Sequence, residues 1–324
     1  MTGKPDHETS LSIIVEWEQA PRQGQDRSRS MLRILAEQVR ETAGQAFLRH
    51  PELLVCVDRA TRDACETFVR ATLGSDAGLF DIRFLAPAGL EYYELKNTAV
   101  REARGELLVF LDCDVLPEPG WLARVLAPFA DPEISVVGGN TYVDPTDVYS
   151  RTFAANWIFP LRAETDELVP MTRLATNNVA FRREVAVRFP FPSMPETSRG
   201  ACQLLRNLME ARGVTMVTAQ GAHVRHPPPL GAGQFLTRSF SRGRDRLFMA
   251  EPGAQWTTIG TARRFATDVR RTVETLIRRR RVVGLSLPAL PIAIAIGIAF
   301  SALSAMGELL TKADRGFMVE HFRV

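Results

Sequence analysis

The chain has few of the residues that mark several large protein classes. It contains only four cysteines, none of them in a C-x-x-C pair or at zinc-binding spacing to a histidine. Lysine occurs only at positions 4, 96 and 312, and no aromatic platform accompanies the arginines. The N-terminal segment is polar and lacks the apolar core of a signal peptide. We therefore expect reduced thiols, no nucleic-acid partner, and a first domain that stays in the cytoplasm.

Charge is unevenly distributed along the chain. With 45% hydrophobic and 24% charged residues the composition is that of a globular protein, and the net charge is only +3. That total hides two adjoining segments of different character. Arg263–Arg281 contains eight arginines and two acidic residues, and Val282–Gly307 then runs for 26 residues without a charged side chain.

The uncharged run 282–307 is long enough for one membrane-spanning helix, because a hydrocarbon core about 30 Å thick needs about 20 apolar residues. The arginines before it place that flank on the cytoplasmic side and can bind anionic headgroups. Pro288 and Pro291 would kink a helix, so an interfacial or re-entrant helix and a buried core helix stay open as alternatives. We expect attachment to the inner or plasma membrane.

Short apolar runs alternate with helical patterns over about the first 220 residues. This βαβα order predicts an α/β fold with a mostly parallel central sheet flanked by helices. The strands are expected at 11–15, 53–57, 81–85 and 107–111. We predict a domain over 1–233, an arginine-rich helical connector over 234–281, a membrane segment over 282–307 and a C-terminal tail over 308–324.

Acidic residues follow two of the predicted strands. Asp58 ends the second strand, and Asp112 and Asp114 end the strand at 107–111. In open α/β sheets ligands bind outside the carboxyl ends of the strands. Two carboxylates one residue apart suit Mg²⁺ or Mn²⁺, which leave positions open for phosphate oxygens. The sequence therefore indicates a divalent metal site at this edge.

The surrounding sequence resembles the core of family-2 glycosyltransferases of the GT-A fold, which have a Rossmann-like nucleotide-binding half. Residues 94–114 read ELKNTAVREARGELLVFLDCD, and in that family a basic residue and Asn open a helix before an Ala-x-Gly-Glu turn and a strand that ends in D-x-D. The resemblance extends from Leu11 to about Arg246. It includes residues 176–183 (TNNVAFRR), the loop of His226, and residues 240–245 (FSRGRD).

This resemblance implies roles for single residues on the donor side. Asp58 would accept a hydrogen bond from the nucleobase, although a helix N-cap is the alternative for this residue. Lys96 and Asn97 would lie beside the nucleotide. Asp112 would contact ribose or metal, and Asp114 would be the principal ligand of Mn²⁺ or Mg²⁺.

Three further residues receive roles in the same way. His226 would be a second metal or diphosphate ligand, with His223 as the competing choice. Asn177 and Asn178 belong to the segment that looks like the acceptor side of the family.

The chain departs from the family pattern at two places. Glu16, Trp17 and Glu18 replace the usual Pro-Thr-Tyr-Asn after the first strand, and either glutamate could bind ribose or base. The Glu-Asp pair that supplies the general base is replaced by Gly-Ala-Cys at positions 200–202. Glu196 is the nearest upstream carboxylate and our candidate base.

The expected function is transfer of a sugar from a nucleotide-sugar donor to an acceptor hydroxyl, with inversion, at the cytoplasmic membrane face. A non-catalytic, membrane-tethered nucleotide-sugar-binding protein is the alternative, because the usual base pair is missing. A sugar-phosphate nucleotidyltransferase fits less well, since no Gly-rich phosphate loop follows the first strand. The arginines beside the apolar run are consistent with a lipid-linked or envelope glycan acceptor, or with another membrane-bound partner.

Overall fold

The computed structural model describes residues 10–17, 25–42, 50–87, 92–194, 200–249 and 257–322. Within these ranges there are nine strands: β1 (Leu11–Glu16), β2 (Glu52–Cys56), β3 (Asp81–Leu85), β4 (Leu107–Asp112), β5 (Leu116–Pro117), β6 (Val136–Val143), β7 (Leu168–Pro170), β8 (Asn178–Arg182) and β9 (Met216–His226). The α-helices are α1 (Gln25–Thr42), α2 (Arg62–Leu73), α3 (Tyr92–Glu102), α4 (Trp121–Leu126), α5 (Val148–Asn156), α6 (Arg183–Arg188), α7 (Ala201–Ala211), α8 (Gly231–Phe248), α9 (Thr258–Arg279), α10 (Leu290–Ala313) and α11 (Arg315–His321).

The chain folds into two units, each built from segments that are separated in sequence. The first comprises Met1–Thr141, Arg162–Ser193 and Cys202–Arg225. The second comprises Tyr142–Leu161, Met194–Ala201 and His226–Val324. The segment that contains α5 thus belongs to the same unit as the C-terminal helices. The order of residues along the chain does not indicate this grouping.

The first unit is built on one mixed sheet, ordered β3-β2-β1-β4-β8-β6-β9-β5, with β7 paired to β9. Strands β3, β2, β1 and β4 are parallel, and β8 pairs antiparallel to both β4 and β6. Every residue of β1, β2 and β4 is buried, as expected for parallel strands covered by helices on both faces. The predicted α/β class is confirmed, and the parallel part carries the acidic residues at its carboxyl edge.

A buried carboxylate ties the amino ends of the parallel strands together. Glu52 Oε2 accepts hydrogen bonds from Ser12 Oγ at 2.6 Å and from the Arg104 backbone N–H at 3.0 Å, and Arg83 bonds to the other oxygen. Burial raises the pKa of Glu52, but these hydrogen bonds outweigh it, so the pKa lies below its ordinary value of 4.5. The charged form of Glu52 therefore stabilises the folded state.

We predict that Glu52→Gln destabilises the protein in a pH-dependent way. Because the folded pKa is depressed, the contribution of the carboxylate is present above pH 4.5 and is lost as the pH falls through the folded value. The free energy of unfolding should drop by about 2 kcal/mol at pH 7, and the difference from wild type should shrink below pH 4.5. Urea unfolding across this pH range measures it. Glu102→Gln, which removes a half-exposed partner of the same Arg83, is the control and should cost under about 1 kcal/mol.

The second unit is helical, and α10 is its most apolar element. Among the described residues, α10 is long and apolar enough to cross a membrane. Of its most apolar stretch of 18 residues, 33% is buried. The helix begins at Leu290, with Pro291 in its first turn, where the missing N–H costs no hydrogen bond. It continues past the predicted end at 307, through Glu308, to Ala313.

Helix α10 packs closely on α8 through small residues. A Cβ atom at Gly243 or at Gly307 would collide with the backbone of the other helix. Glu308 is fully buried in this region and forms ion pairs with Arg246 at 3.2 Å and Arg264 at 2.7 Å. One face of α10 is therefore a protein-packing face with a charged group in its second half.

Candidate active site

The acidic residues of β1 and β4 meet at the carboxyl edge of the sheet. Asp112, the last residue of β4, lies opposite Glu16, the last residue of β1, in the parallel register. Asp114 follows in a tight turn, in which the Val115 N–H donates to the Asp112 carbonyl at 3.4 Å. All three carboxylate residues are buried. The D-x-D triplet thus leaves the strand as the sequence predicts.

Lys96, on α3, holds Asp112 through a buried ion pair. Its Nζ lies 2.8 Å from Asp112 Oδ1, and the lysine side chain is fully buried. Burial alone would lower the pKa of Lys96, but the charges of Asp112 and Glu16 outweigh it and raise that pKa. The ammonium therefore stays protonated at neutral pH and neutralises one of the carboxylates.

Tyr92 completes this group, although no sequence motif marks it. Its hydroxyl lies 3.1 and 3.0 Å from the two Asp112 oxygens and 3.1 Å from Thr176 Oγ1. The Lys96 Nζ also lies 4.5 Å from the centroid of the Tyr92 ring, a cation–π arrangement. Burial, and then the charge of Asp112, raise the pKa of the Tyr92 hydroxyl well above its ordinary value. Tyr92 therefore remains protonated and donates to Asp112.

Arg27, on α1, fixes the turn after β4. Its guanidinium donates to the Asp114 carbonyl oxygen and, through Nη2, to the Arg225 carbonyl oxygen at 2.8 Å. Two chain segments that are distant in sequence are thereby held on one side chain. This contact fixes the backbone of the turn at Asp114.

The side chains at this edge of the sheet are suitable ligands for a hard divalent cation. Asp112 and Asp114 offer carboxylate oxygens, the ligands that Mg²⁺ and Mn²⁺ prefer. Within the described ranges no cluster of three or more His, Cys, Asp or Glu side chains has metal-binding geometry. A cation held by the two carboxylates would keep coordination positions open for substrate phosphates or water, as Mg²⁺ commonly does.

Known proteins share part of this sequence and its fold. Residues 41–188 match the model of glycosyl transferase family 2. This segment, a little under half of the chain, is thus similar to family-2 glycosyltransferases. The chain is also 30% identical over 129 residues to the O-antigen biosynthesis protein RfbC of Myxococcus xanthus, a match that covers 40% of this chain but only 9% of that protein.

Its fold is similar to that of a solved glycosyltransferase. The mannosyltransferase PcManGT from Pyrobaculum calidifontis, solved in complex with GDP-Man and Mn²⁺, superposes with a TM-score of 0.54 at 17% identity, over 96% of this chain and 90% of the other. This similarity supports the predicted GT-A architecture. The family match itself covers a shorter stretch than the resemblance in the sequence.

Two positions expected on the donor side, Asp58 and Asn97, have structural partners of their own. Asp58 follows β2 at the same edge, is exposed, and accepts a hydrogen bond from the Ala60 N–H at 2.7 Å, as an N-cap does. The Asn97 amide bonds to the backbone of Phe191 in both directions, at 2.9 and 2.8 Å. Asn97 thus holds the segment after α6 against α3.

The asparagine pair at the start of β8 is buried. Asn177 Oδ1 accepts a hydrogen bond from Thr141 Oγ1 at 3.1 Å. Asn178 Oδ1 accepts from Trp121 Nε1 at 2.8 Å, and its Nδ2 donates to the Ala222 carbonyl oxygen at 3.1 Å. Asn178 therefore links β8 to α4 and β9, which is a structural role in addition to the acceptor-side role that the family resemblance implies.

The two histidines considered as ligands lie in different surroundings. His226, at the end of β9 and in the second unit, packs against Trp157 and Phe159, with Nδ1 2.6 Å from the Pro227 carbonyl oxygen. A carbonyl only accepts, so Nδ1 is the donor in this contact. His223 instead has Nε2 2.9 Å from the Ala163 carbonyl oxygen. Burial, and then the charge of Arg162, lower the pKa of His223, so that ring is neutral at pH 7.

Glu18 and Glu196 lie outside the described residues. For Glu16 the structure gives a clear position, fully buried beside Asp112, which places it in the interior of the site. The site residues that the structure brings together are thus Glu16, Lys96, Asp112 and Asp114, with Tyr92, Thr176 and Arg27 added.

Proposed function

We propose that the protein is a metal-dependent glycosyltransferase that moves a sugar from a nucleotide-sugar donor to an acceptor hydroxyl with inversion. The buried carboxylate pair at the end of β4, with Lys96 bound to its first member, carries the proposal. It lies within the segment that matches family 2. The similarity to a protein of O-antigen biosynthesis supports a glycan acceptor, lipid-linked or part of the cell envelope.

Each residue of the site has a part in this reaction. Asp114 is the principal ligand of Mn²⁺ or Mg²⁺, and Asp112 holds the metal or the ribose. A bound divalent cation would neutralise the charge that develops on the leaving diphosphate. Lys96 and Tyr92 fix the rotamer of Asp112 and keep the site from accumulating uncompensated negative charge. Asp58, exposed beyond β2, is available to bind the nucleobase once it exchanges its backbone bond.

Other site assignments rest on the family resemblance. His226 is the proposed second ligand of the metal or the diphosphate. Glu16, or Glu18 after it, binds ribose or base, while Asn97 lies beside the nucleotide and Asn177 and Asn178 lie on the acceptor side. Glu196 is the proposed general base that takes the proton of the acceptor hydroxyl.

Release of nucleoside diphosphate tests the proposal. The purified protein is incubated with a panel of nucleotide sugars and with Mn²⁺ or Mg²⁺, with and without lipid-linked and soluble glycan acceptors. Mn²⁺ is tested before Mg²⁺, because the structure of the Pyrobaculum calidifontis enzyme was solved with Mn²⁺. We expect metal-dependent release of nucleoside diphosphate, whereas pyrophosphate would indicate nucleotidyl transfer. Metal-dependent nucleotide binding without turnover would favour the non-catalytic binding protein, for which the Gly-Ala-Cys run at 200–202 argues.

The second unit is the proposed membrane attachment, with α10 lying in the interface rather than crossing the bilayer. Ile292, Met306 and Leu309 on α10 are 58%, 49% and 40% exposed, which leaves an apolar face available to lipid. The opposite face packs on α8 and contains buried, ion-paired Glu308, a poor residue for a lipid-surrounded helix. We predict that the protein co-migrates with anionic vesicles in a density-gradient flotation assay. We also predict that alkaline carbonate releases it from cell membranes. Retention after carbonate would instead support a spanning helix.

A further inference from the structure

A cavity of about 290 Å³ lies entirely within the second unit, lined by residues of α5, α8, α9 and α10 and by the residue that follows α5. Its volume is just below the range for small-molecule sites, which is about 300–1,000 Å³, and is large enough for a small anion. None of its lining residues belongs to the first unit, which contains the D-x-D carboxylates. The cavity is therefore a candidate site with chemistry of its own.

Its lining is strongly cationic. Four arginines line the cavity, and the only acidic residue among the lining residues is Asp268. Asp268 is paired with Arg246 at 2.6 Å, and neighbouring Glu308 is shared by Arg246 and Arg264. These two acids are thus matched by two arginines, and the charges of Arg271 and Arg279 remain in excess.

Arg271 and Arg279, both on α9, supply this excess charge. The Arg279 guanidinium donates to the Ala155 carbonyl oxygen at 2.8 Å, a neutral acceptor that leaves its charge in place. Arg271 is exposed and makes no hydrogen bond or ion pair with any described residue. Arg242 adds a third guanidinium, 5.6 Å from the centroid of the Phe300 ring. Both α9 arginines belong to one continuous helix of 22 residues, which fixes the separation of their backbone positions.

A neutral donor is also present. Trp157 lines the cavity, and its Nε1 is buried without a hydrogen-bond partner among the described residues. A buried N–H that lacks an acceptor is costly, and an oxyanion in the cavity could supply that acceptor. Phe300 and Ile296 add apolar wall beside the charged groups, so an anion attached to an apolar group would also fit.

We propose that this cavity binds a phosphate or diphosphate group, independently of the sugar-nucleotide site. Guanidinium forks match the geometry of phosphate oxygens, and a diphosphate has both the charge and the number of acceptors to engage Arg271 and Arg279 together. A carboxylate offers fewer acceptors and a single charge. The same group could be presented by a membrane lipid or by a soluble phosphorylated molecule.

Calorimetric titration of the full chain with inorganic pyrophosphate in the presence of EDTA tests the proposal, because EDTA prevents metal-dependent binding at the D-x-D site. We expect Arg271→Gln to weaken pyrophosphate binding about tenfold, the effect of losing one charge-assisted contact. Arg270→Gln is the matched control: it removes the same charge from the same helix, but Arg270 does not line the cavity and pairs with Glu274 at 2.7 Å. That variant and Asp114→Asn should both bind as wild type does.

Absence of pyrophosphate binding without metal, or equal weakening by Arg270→Gln and Arg271→Gln, would overturn the proposal. The first result would exclude a site outside the metal centre, and the second would indicate a diffuse charge effect along α9. Vesicles of phosphatidylcholine with and without phosphatidic acid then distinguish the sources. Recruitment that depends on phosphatidic acid and on Arg271 supports a lipid phosphate, whereas pyrophosphate binding without such recruitment supports a soluble ligand.

Discussion

Asp114→Asn should reduce nucleoside diphosphate release at least about 10³-fold. The reason is that an amide oxygen carries no charge, so a divalent cation loses its principal anionic ligand while the shape of the turn is preserved. Metal stabilisation of a leaving diphosphate is worth several kcal/mol, and about 4 kcal/mol corresponds to a factor of about 10³ in rate. Asp114 is only 2% exposed, so solvent cannot replace the lost charge. Coupled detection of released UDP or GDP under saturating Mn²⁺ measures the effect.

Asp63→Asn is the matched control for this variant. It makes the same chemical change in the same unit, at a side chain that is 94% exposed. It should leave turnover unchanged. Binding of nucleotide to Asp114→Asn should also lose its dependence on Mn²⁺, a readout that does not require turnover. Release by Asp114→Asn within tenfold of wild type, with the same Mn²⁺ dependence, would show that the carboxylate does not hold the metal.

The parallel strands and the D-x-D edge could be predicted from the sequence because both are encoded locally. A continuous apolar run such as Leu107–Leu111 has to be buried on both faces, and the residue that ends it then has to emerge at the sheet edge. Lys96 could be assigned for a similar reason, since it sits at a fixed distance before that strand in a family pattern. What remained unknown was that Lys96 is fully buried, because burial depends on what α3 packs against.

Contacts between distant segments could not be read in this way. Tyr92 and Thr176 are 84 positions apart and meet at Asp112 only because β8 pairs with β4. Tyr92 is one of two adjacent tyrosines, and nothing in its spacing singles it out. Asn97 is a second example: the family position suggests a place beside the nucleotide, but nothing in the sequence indicates that its amide is bound to the Phe191 backbone.

The C-terminal region shows the same limit on a larger scale. Composition alone reveals an apolar run after an arginine cluster, and both are present in the structure as α10 and α9. Hydropathy cannot show that Gly243 and Gly307 let α8 and α10 approach closely, or that Glu308 is neutralised by arginines from two other helices. The uncharged run ends before Glu308 in the sequence, but the helix continues through this residue, whose charge is paired within the protein.

Lys96→Met should lower the melting temperature by roughly 10 °C. The substitution keeps the apolar stem but leaves the Asp112 carboxylate buried without its cation, and breaking a buried pair costs about 3–5 kcal/mol. For a unit of this size each kcal/mol corresponds to about 2–4 °C. Because the pKa of Lys96 is raised above its ordinary value of 10.5, the ion pair is intact at all pH values below that, and the difference should be constant from about pH 6 to 9. Thermal unfolding followed by circular dichroism measures it.

A double variant tests whether charge is the cause. Lys96→Met combined with Asp112→Asn removes the uncompensated carboxylate, so it should recover most of the lost stability, while a defect in packing would leave both variants equally unstable. Mn²⁺ then separates the two roles open to Asp112. If Asp112 is a metal ligand, the cation replaces the missing positive charge, and Mn²⁺ should raise the melting temperature of Lys96→Met more than that of wild type. If Asp112 binds ribose instead, the two proteins should gain equally, because the same Asp114 would hold the metal in both.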